Sequence, residues 1–458
     1  MLKVDNLSFS YTVYESTSNR VLFDNVSFEC RENENILILG RPEKGKSTLS
    51  MILSGLTPKY NDGNLTGSVT YDSLSCEEAL ERMNIFSLVP QNATDFIITS
   101  TVEEEVVFPM QSLCIEREEM KKRLDEALSF WGLNRYRDIS TSELSGGEKR
   151  RLMLATSDVV NSKYNILDEA FDDLDVSYRK KLSDRLKERK RATVVFASHY
   201  LNCFDSVFDK VYILDGTLAL ADNSSIEEFS KIEHVVFENN ISSDELIVKN
   251  LTFTHPHRSV LEEEPFKIKV DNFSLKRGEV ITLRGLNGSG KSTFSSILCG
   301  LYEKDSGEII YRSKSLKKKE LSRIVGYMFQ NPDFQIFLPT AYDELAFALD
   351  YLKLSNEEKE RRVKELLKLF RLNGDAVASL MSYGERKRLQ CAIYYSLNRP
   401  FYILDELDSA LDYEESIRLI KLLSANGAGI LLITHDEAFA DAITNHGYYI
   451  ENGVMYAN

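Results

Sequence analysis

Two glycine-rich phosphate loops lie in one chain of 458 residues: GRPEKGKST at 40–48 and GLNGSGKST at 285–293. Each follows a short apolar run, at 36–39 and 280–283, and each leads into a segment that reads as a helix. That strand–loop–helix setting is what gives the motif chemical meaning. Backbone N–H groups in the turn and at the open helix start form an anion site, and the lysine adds a charge aimed at terminal phosphates. Lys46 and Lys291 stand 245 residues apart, so the chain divides into two nucleotide-binding halves.

The repeat extends far beyond the loops. LKVDNLSFSY at 2–11 aligns with IVKNLTFTH at 247–255, with Leu7 over Leu251 and Phe9 over Phe253. Further motifs recur in one order. Gln91 in LVPQN matches Gln330 in YMFQN, and LSGGEKRR at 144–151 matches MSYGERKR at 381–388. YNILDE, ending Asp168-Glu169, matches FYILDE, ending Asp405-Glu406. FDDLD at 171–175 matches LDSALD at 407–412, and the strand-like runs ending at His199 and His435 close the series. The spacing predicts one domain over 1–225, a polar linker over 226–245 and a second domain over 246–458. A linker of about 20 residues reaches roughly 65–70 Å when extended.

Composition narrows the class. Apolar residues make up 43% and charged residues 28%, so each half can bury a core. No run of 18 apolar residues and no signal-like N-terminal segment is present. Six cysteines are scattered singly, which predicts free thiols and no cysteine metal site. A net charge of −15 argues against a nucleic-acid partner, because phosphate-backbone binding needs clustered Lys and Arg. The runs Lys317-Lys318-Lys319 and Glu262-Glu263-Glu264 read as solvated surface.

Taken together, the Walker loop, the glutamine, the LSGGE signature, the strand ending Asp-Glu, the D-loop and the histidine resemble an ABC-type ATPase, twice over. The resemblance implies an α/β chain of two tandem P-loop ABC nucleotide-binding domains. Each would have a mainly parallel sheet, a β-rich N-terminal part and a helical signature subdomain, inserted over 102–142 and 341–378. It implies MgATP hydrolysis, with the two halves supplying each other as an intramolecular pseudo-dimer in which one Walker loop faces the other half's signature.

Roles follow position by position. Gly40, Gly45, Lys46, Ser47 and Thr48, and Gly285, Asn287, Gly288, Gly290, Lys291, Ser292 and Thr293, would hold the phosphates. Ser145, Gly146 and Gly147, with Ser382 and Gly384, would form the signature clamps, and Tyr11 would stack on adenine. Ser47, Gln91 and Asp168, with Ser292, Gln330 and Asp405, would approach Mg²⁺. Glu169 and Glu406 would polarise the attacking water, and His199 and His435 would contact the γ-phosphate.

FQNPDFQIF at 329–337 followed by TAYDELAF, and the 55–69 segment GLTPKYNDGNLTGSV, resemble the ATPases of energy-coupling factor (ECF) transporters. That likeness implies a protein at the cytoplasmic face of the membrane, serving vitamin or metal-ion uptake. Its partners would be a transmembrane coupling subunit and a substrate-binding membrane subunit. Phe334, Ile336 and Phe337, with Phe96, Ile97 and Ile98, are the expected docking residues. Two other classes share the duplication: binding-protein-dependent importers and soluble translation-associated ABC proteins. The latter typically carry a long basic helical linker, unlike the short one here.

Three residues depart from the pattern. Glu43 replaces a loop glycine, Tyr383 replaces the first signature glycine, and His255 stands where Tyr11 stands in the first half. Under head-to-tail pairing, Glu43 and Tyr383 fall in one composite site. This predicts unequal sites, with Tyr383 crowding the start of its signature helix.

Overall fold

The computed structural model describes residues 1–11, 20–59, 63–82, 84–188, 190–199, 206–232, 234–237, 241–255, 265–409 and 411–457. Glu262–264, Cys203 and the tip of the 55–69 segment lie outside these. The chain forms two compact units, Met1–Lys231 and Ile232–Asn458. The stretch read as a linker is partly built into them. A helix at Asn223–Ser230 belongs to the first unit, and Val235 N–H donates to Ala442 C=O within the second.

In the first unit a six-stranded sheet runs in spatial order Thr217–Leu220, Lys210–Asp215, Asn35–Leu39, Ala192–Ala197, Tyr164–Asp168, Phe86–Val89. All neighbours are parallel except the first pair. Every residue of Asn35–Leu39 and Ala192–Ala197 is buried, as expected of central parallel strands covered on both faces. The motif-bearing loops leave this sheet at the carboxyl ends of its strands, where α/β sheets place ligands. A second, antiparallel sheet joins Arg20–Cys30, Leu2–Tyr11, Gly63–Tyr71 and Leu74–Ser75.

The second unit repeats this plan. Its parallel strands are Gly447–Glu451, Val280–Arg284, Gly429–Ile433, Phe401–Asp405 and Val325–Met328. One parallel bridge, Lys269 to Val454, joins them through Val454–Ala457 to the antiparallel portion in a single ten-stranded sheet.

The repeat reaches down to a backbone defect. Leu2 and Val4 face the core, then Asn6 takes φ 49° and the alternation resets so that Leu7 and Phe9 face it too. In the second unit Leu246 and Val248 give way to Leu251 and Phe253 across Asn250, at φ 48°. A bulge shifts the inward face by one residue, and Asn tolerates the left-handed region better than most. Gly67 and Gly307 sit opposite, where an added Cβ would lie 2.4 Å from the carbonyl oxygens of Asn6 and Asn250.

The helical portions contain Val102–Ser112 and Arg117–Phe130 in the first unit, and Ala341–Leu349 and Asn356–Leu369 in the second. Signature helices follow at Gly146–Val160 and Tyr383–Leu397. Among the described residues, no helix is long and apolar enough to cross a membrane.

Candidate functional site

Each phosphate loop bends sharply into a helix, Lys46–Leu53 or Lys291–Leu298. The residues before the helices, Gly45 and Gly290, take φ 97° and 113°, which favours glycine. A Cβ at Gly290 would also lie 2.3 Å from Ile268. Leu49, Ile52 and Leu53 anchor the first helix, and Phe294, Ile297 and Leu298 the second, so the turn is held from below.

The lysines lie back along their loops. Lys46 Nζ donates to Gly40 C=O at 2.7 Å and Arg41 C=O at 3.2 Å, and Lys291 Nζ to Gly285 C=O at 2.7 Å and Leu286 C=O at 3.1 Å. Lys46 Nζ is also 3.3 Å from Glu169 Oε1. Glu43 takes φ 64° at the position where Gly288 takes φ 76°. Its departure from glycine therefore carries left-handed strain, although the crest is open: a Cβ at Gly288 would meet nothing within 4 Å. Asn287 and Gly288 are exposed on the crest.

The carboxylates follow strand ends. Asp168 and Asp405 are the last residues of buried strands. Glu169 and Glu406 then turn at φ 48° and 50°, a conformation rare outside glycine and concentrated at functional sites. Ser50 Oγ donates to Asp168 Oδ2 at 2.9 Å, while Asp168 Oδ1 is buried with no hydrogen-bond partner among the described residues. Tyr327 donates to Asp405 Oδ2 at 2.6 Å, with Ser292 Oγ at 3.4 Å. Burial, reinforced by the charge of Glu169, pushes Asp168 up to about 6. Burial and Glu406 raise Asp405 in the same way. A buried carboxylate oxygen lacking a donor, beside a phosphate-loop hydroxyl and lysine, fits a cation held between protein and triphosphate.

The Q-loop glutamines are engaged differently. Ser47 Oγ donates to Gln91 Oε1 at 3.1 Å. Gln330 Nε2 donates to Glu406 Oε2 at 2.6 Å. The glutamates diverge too. Glu169 accepts from Ser198 Oγ at 2.6 Å and Ser198 N–H at 3.0 Å, next to the buried His199. Glu406 Oε1 lies 3.3 Å from His435 Nε2. Burial pushes Glu406 up, but His435, Lys291 and Lys387 outweigh it and hold it below the usual range.

Tyr11 hydroxyl pairs with Thr48 Oγ1 at 2.9 Å, so its ring is pinned beside the phosphate-loop helix. His255 is buried instead, edge-on to Phe253 and Tyr302 with ring centres 5.9 and 5.6 Å away. The signature serines cap their helices. Ser145 and Ser382 each close a reciprocal box with the glutamate three residues on, Glu148 or Glu385. This box is intact around Tyr383, and the equivalent Gly146 has nothing within 4 Å of an added Cβ. Tyr383 therefore does not crowd its helix start.

Ser50, Ser198 and Tyr327 were not singled out from the sequence. Polar side chains such as these carry no signature spacing, and only the folded contacts reveal them.

The sequence profile of the ABC transporter family matches residues 23–172 and 268–409, both motif sets. This chain belongs to the ABC transporter family. The ABC ATPase is 27% identical over 479 residues to an ABC transporter ATP-binding protein of Treponema denticola, provisionally so named, covering 99% of this chain and 96% of that one. It is 28% identical over 498 residues to a Bacillus subtilis protein provisionally named HMP/thiamine import ATP-binding protein YkoD, covering 97% and 89%. Among solved structures it resembles RNase-L Inhibitor, with TM-score 0.64, 21% identity and coverage of 99% and 90%. It also resembles a chain of the structure titled "Model of ribosome-bound archaeal Pelota and ABCE1", with TM-score 0.67, 20% identity and coverage of 98% and 78%. At that identity the structural likeness establishes the shared fold. ATP binding and hydrolysis follow from the family.

Proposed function

We propose that this ABC ATPase powers an uptake transporter of the energy-coupling-factor type, carrying a vitamin or metal ion, from the cytoplasmic face of the membrane. Lys46 and Lys291 bind the terminal phosphates of ATP. Asp168 and Asp405, with Ser47, Ser292, Gln91 and Gln330, would hold Mg²⁺. Glu169 and Glu406 orient and deprotonate water for in-line attack, assisted by His199 and His435. When bound, Mg²⁺ neutralises charge developing on the phosphoryl oxygens. The protein's own contribution is positioning and fixed charge, which suits phosphoryl transfer.

The observation that carries the transport reading is a paired apolar display after each Q-loop. Ile98 is 66% and Phe108 46% exposed in the first unit, and Phe337 is 68% and Phe347 55% exposed in the second. Phe334 adds a third ring at 76%. A buried glutamate fixes each display. Glu105 accepts from the N–H groups of Ile98 and Thr99 at 3.1 and 2.9 Å, and Glu344 from those of Phe337 and Leu338. Exposed apolar side chains on a hydrogen-bonded backbone form a pre-organised partner site. Phe96, Ile97 and Ile336 are half-buried and pack against the cores of their own units, beneath the exposed side chains. The printed name of the Bacillus subtilis relative, an import ATP-binding protein, points the same way.

Affinity purification of the tagged chain from detergent-solubilised membranes tests this. Recovery of a coupling subunit with a substrate-binding membrane subunit supports the proposal. Sedimentation with ribosomes, or recovery with a binding-protein-dependent permease, would refute it.

A further inference from the structure

The two units hold the Q-loop backbone with different side chains, and the difference accounts for Tyr383. In the first unit Arg150, on the signature helix and 1% exposed, donates through Nη1 to Pro90 C=O at 2.5 Å and through Nη2 to Gln91 C=O. Its counterpart four residues after Tyr383 is Lys387, also fully buried. Lys387 Nζ turns instead to Glu406 C=O at 3.1 Å and Asp405 C=O at 3.5 Å. The two Q-loop carbonyls are nevertheless satisfied. Gln390 Nε2 donates to Phe329 C=O at 3.2 Å, and Tyr383 hydroxyl donates to Gln330 C=O at 2.9 Å. Gly146 and Met153 hold these two helix positions in the first unit, where Arg150 makes both contacts.

We propose that Tyr383 is a positioning residue for the second unit's ATPase site: its hydroxyl ties the signature helix to the backbone of Gln330, replacing the tie that Arg150 makes to Gln91. The Gln330 side chain lies 2.6 Å from Glu406 Oε2, so a displaced Q-loop misplaces the group that orients the proposed general base. A partly buried carbonyl deprived of its donor loses free energy, and both units fill this position by one route or the other. Tyr383 is thus a compensated exchange with the residue at 387, and the site it serves is that of its own unit. The inference rests on the reading of Glu406 as general base.

The experiment measures kcat and KM for MgATP on the full chain in two backgrounds. Glu169→Gln leaves turnover to Glu406, and Glu406→Gln leaves it to Glu169. In the Glu169→Gln background, Tyr383→Phe is expected to lower kcat about fivefold, the worth of one neutral hydrogen bond, with KM unchanged. Tyr383→Gly combined with Lys387→Arg, the first unit's own pair, is expected to restore most of that loss. Tyr383→Phe in the Glu406→Gln background is expected to lower kcat by less than in the Glu169→Gln background. Unchanged kcat in the first background, no recovery in the double exchange, or an equal or larger loss in the second background would each overturn the proposal. If Glu169→Gln with Glu406→Gln still turns over, the assignment of the general bases fails as well. If that double variant is inactive while Tyr383→Phe is silent, only the role of Tyr383 fails.

Discussion

His435 Nε2 lies 3.3 Å from Glu406 Oε1. At the matching place in the first unit, Glu169 Oε1 lies 3.3 Å from Lys46 Nζ and accepts from Ser198 Oγ. One carboxylate is held by groups that reach across from the Q-loop and the switch strand. The other is neutralised by the phosphate-loop lysine, an ion pair that ATP must compete with. Two sets that share the loop lysine, the Asp-Glu pair and the histidine are therefore built as two different sites.

Unequal turnover is the first expectation. Glu406→Gln should remove nearly all ATPase activity of the assembled transporter, because loss of a general base costs roughly 10²–10⁴-fold at its site. Glu169→Gln should leave a substantial fraction. Phosphate release under saturating MgATP decides it, and equal losses would mean the sites work as equals.

Binding should nevertheless be symmetric in number. With both Glu169→Gln and Glu406→Gln in place, equilibrium dialysis should give close to two ATP per chain, since both phosphate loops keep their lysine and helix start. A value near one would remove one site from the account.

Docking should depend on the exposed rings. Phe334→Asp with Phe337→Asp should abolish co-purification with the membrane subunits while ATP binding persists. The two side chains are 76% and 68% exposed, so the substitutions leave the core untouched. An intact complex would place the partner surface elsewhere.

Strain at Glu43 is directly measurable. A non-glycine residue in the left-handed region costs roughly 1–2 kcal/mol, partly offset by the extra freedom glycine has when unfolded. Glu43→Gly should therefore stabilise the first unit by about 1 kcal/mol. Trp131, the chain's single tryptophan, is buried in that unit, so its fluorescence in a denaturant titration reports the first unit alone. No shift in midpoint would show that contacts of the Glu43 side chain offset the strain.

Asp408 predicts a pH dependence in the second unit. Burial pushes its carboxyl up to about 7, Asp436 and Glu406 add to the shift, and the Thr434 hydroxyl at 2.7 Å opposes it. The folded state thus holds a proton that the unfolded chain releases near ~3.9. The associated stability is full below about pH 4 and is lost as pH rises through about 7. Asp408→Asn keeps an acceptor for Thr434 and removes the charge. It should stabilise the second unit at pH 8 and change little at pH 4. Calorimetry can follow this, taking the transition that leaves Trp131 fluorescence unchanged; an equal effect at both pH values would refute the assignment.

Residues such as Lys46, Asp168 and His199 could be singled out because their chemistry requires fixed types at fixed offsets from strand ends and helix starts. Local rules brought out the phosphate loops with the apolar runs before them, since these depend on neighbours within a few residues, and comparing the two halves brought out the tandem repeat. Tertiary structure decided what those rules cannot reach. It put Ser198 against Glu169 and His435 against Glu406, packed Ile336 against the core of its unit while exposing Phe337, and turned Tyr383 from an obstruction into a tie to Gln330. Each of these depends on where strands far apart in the chain bring a side chain, and on which buried polar group still needs a partner once they have done so.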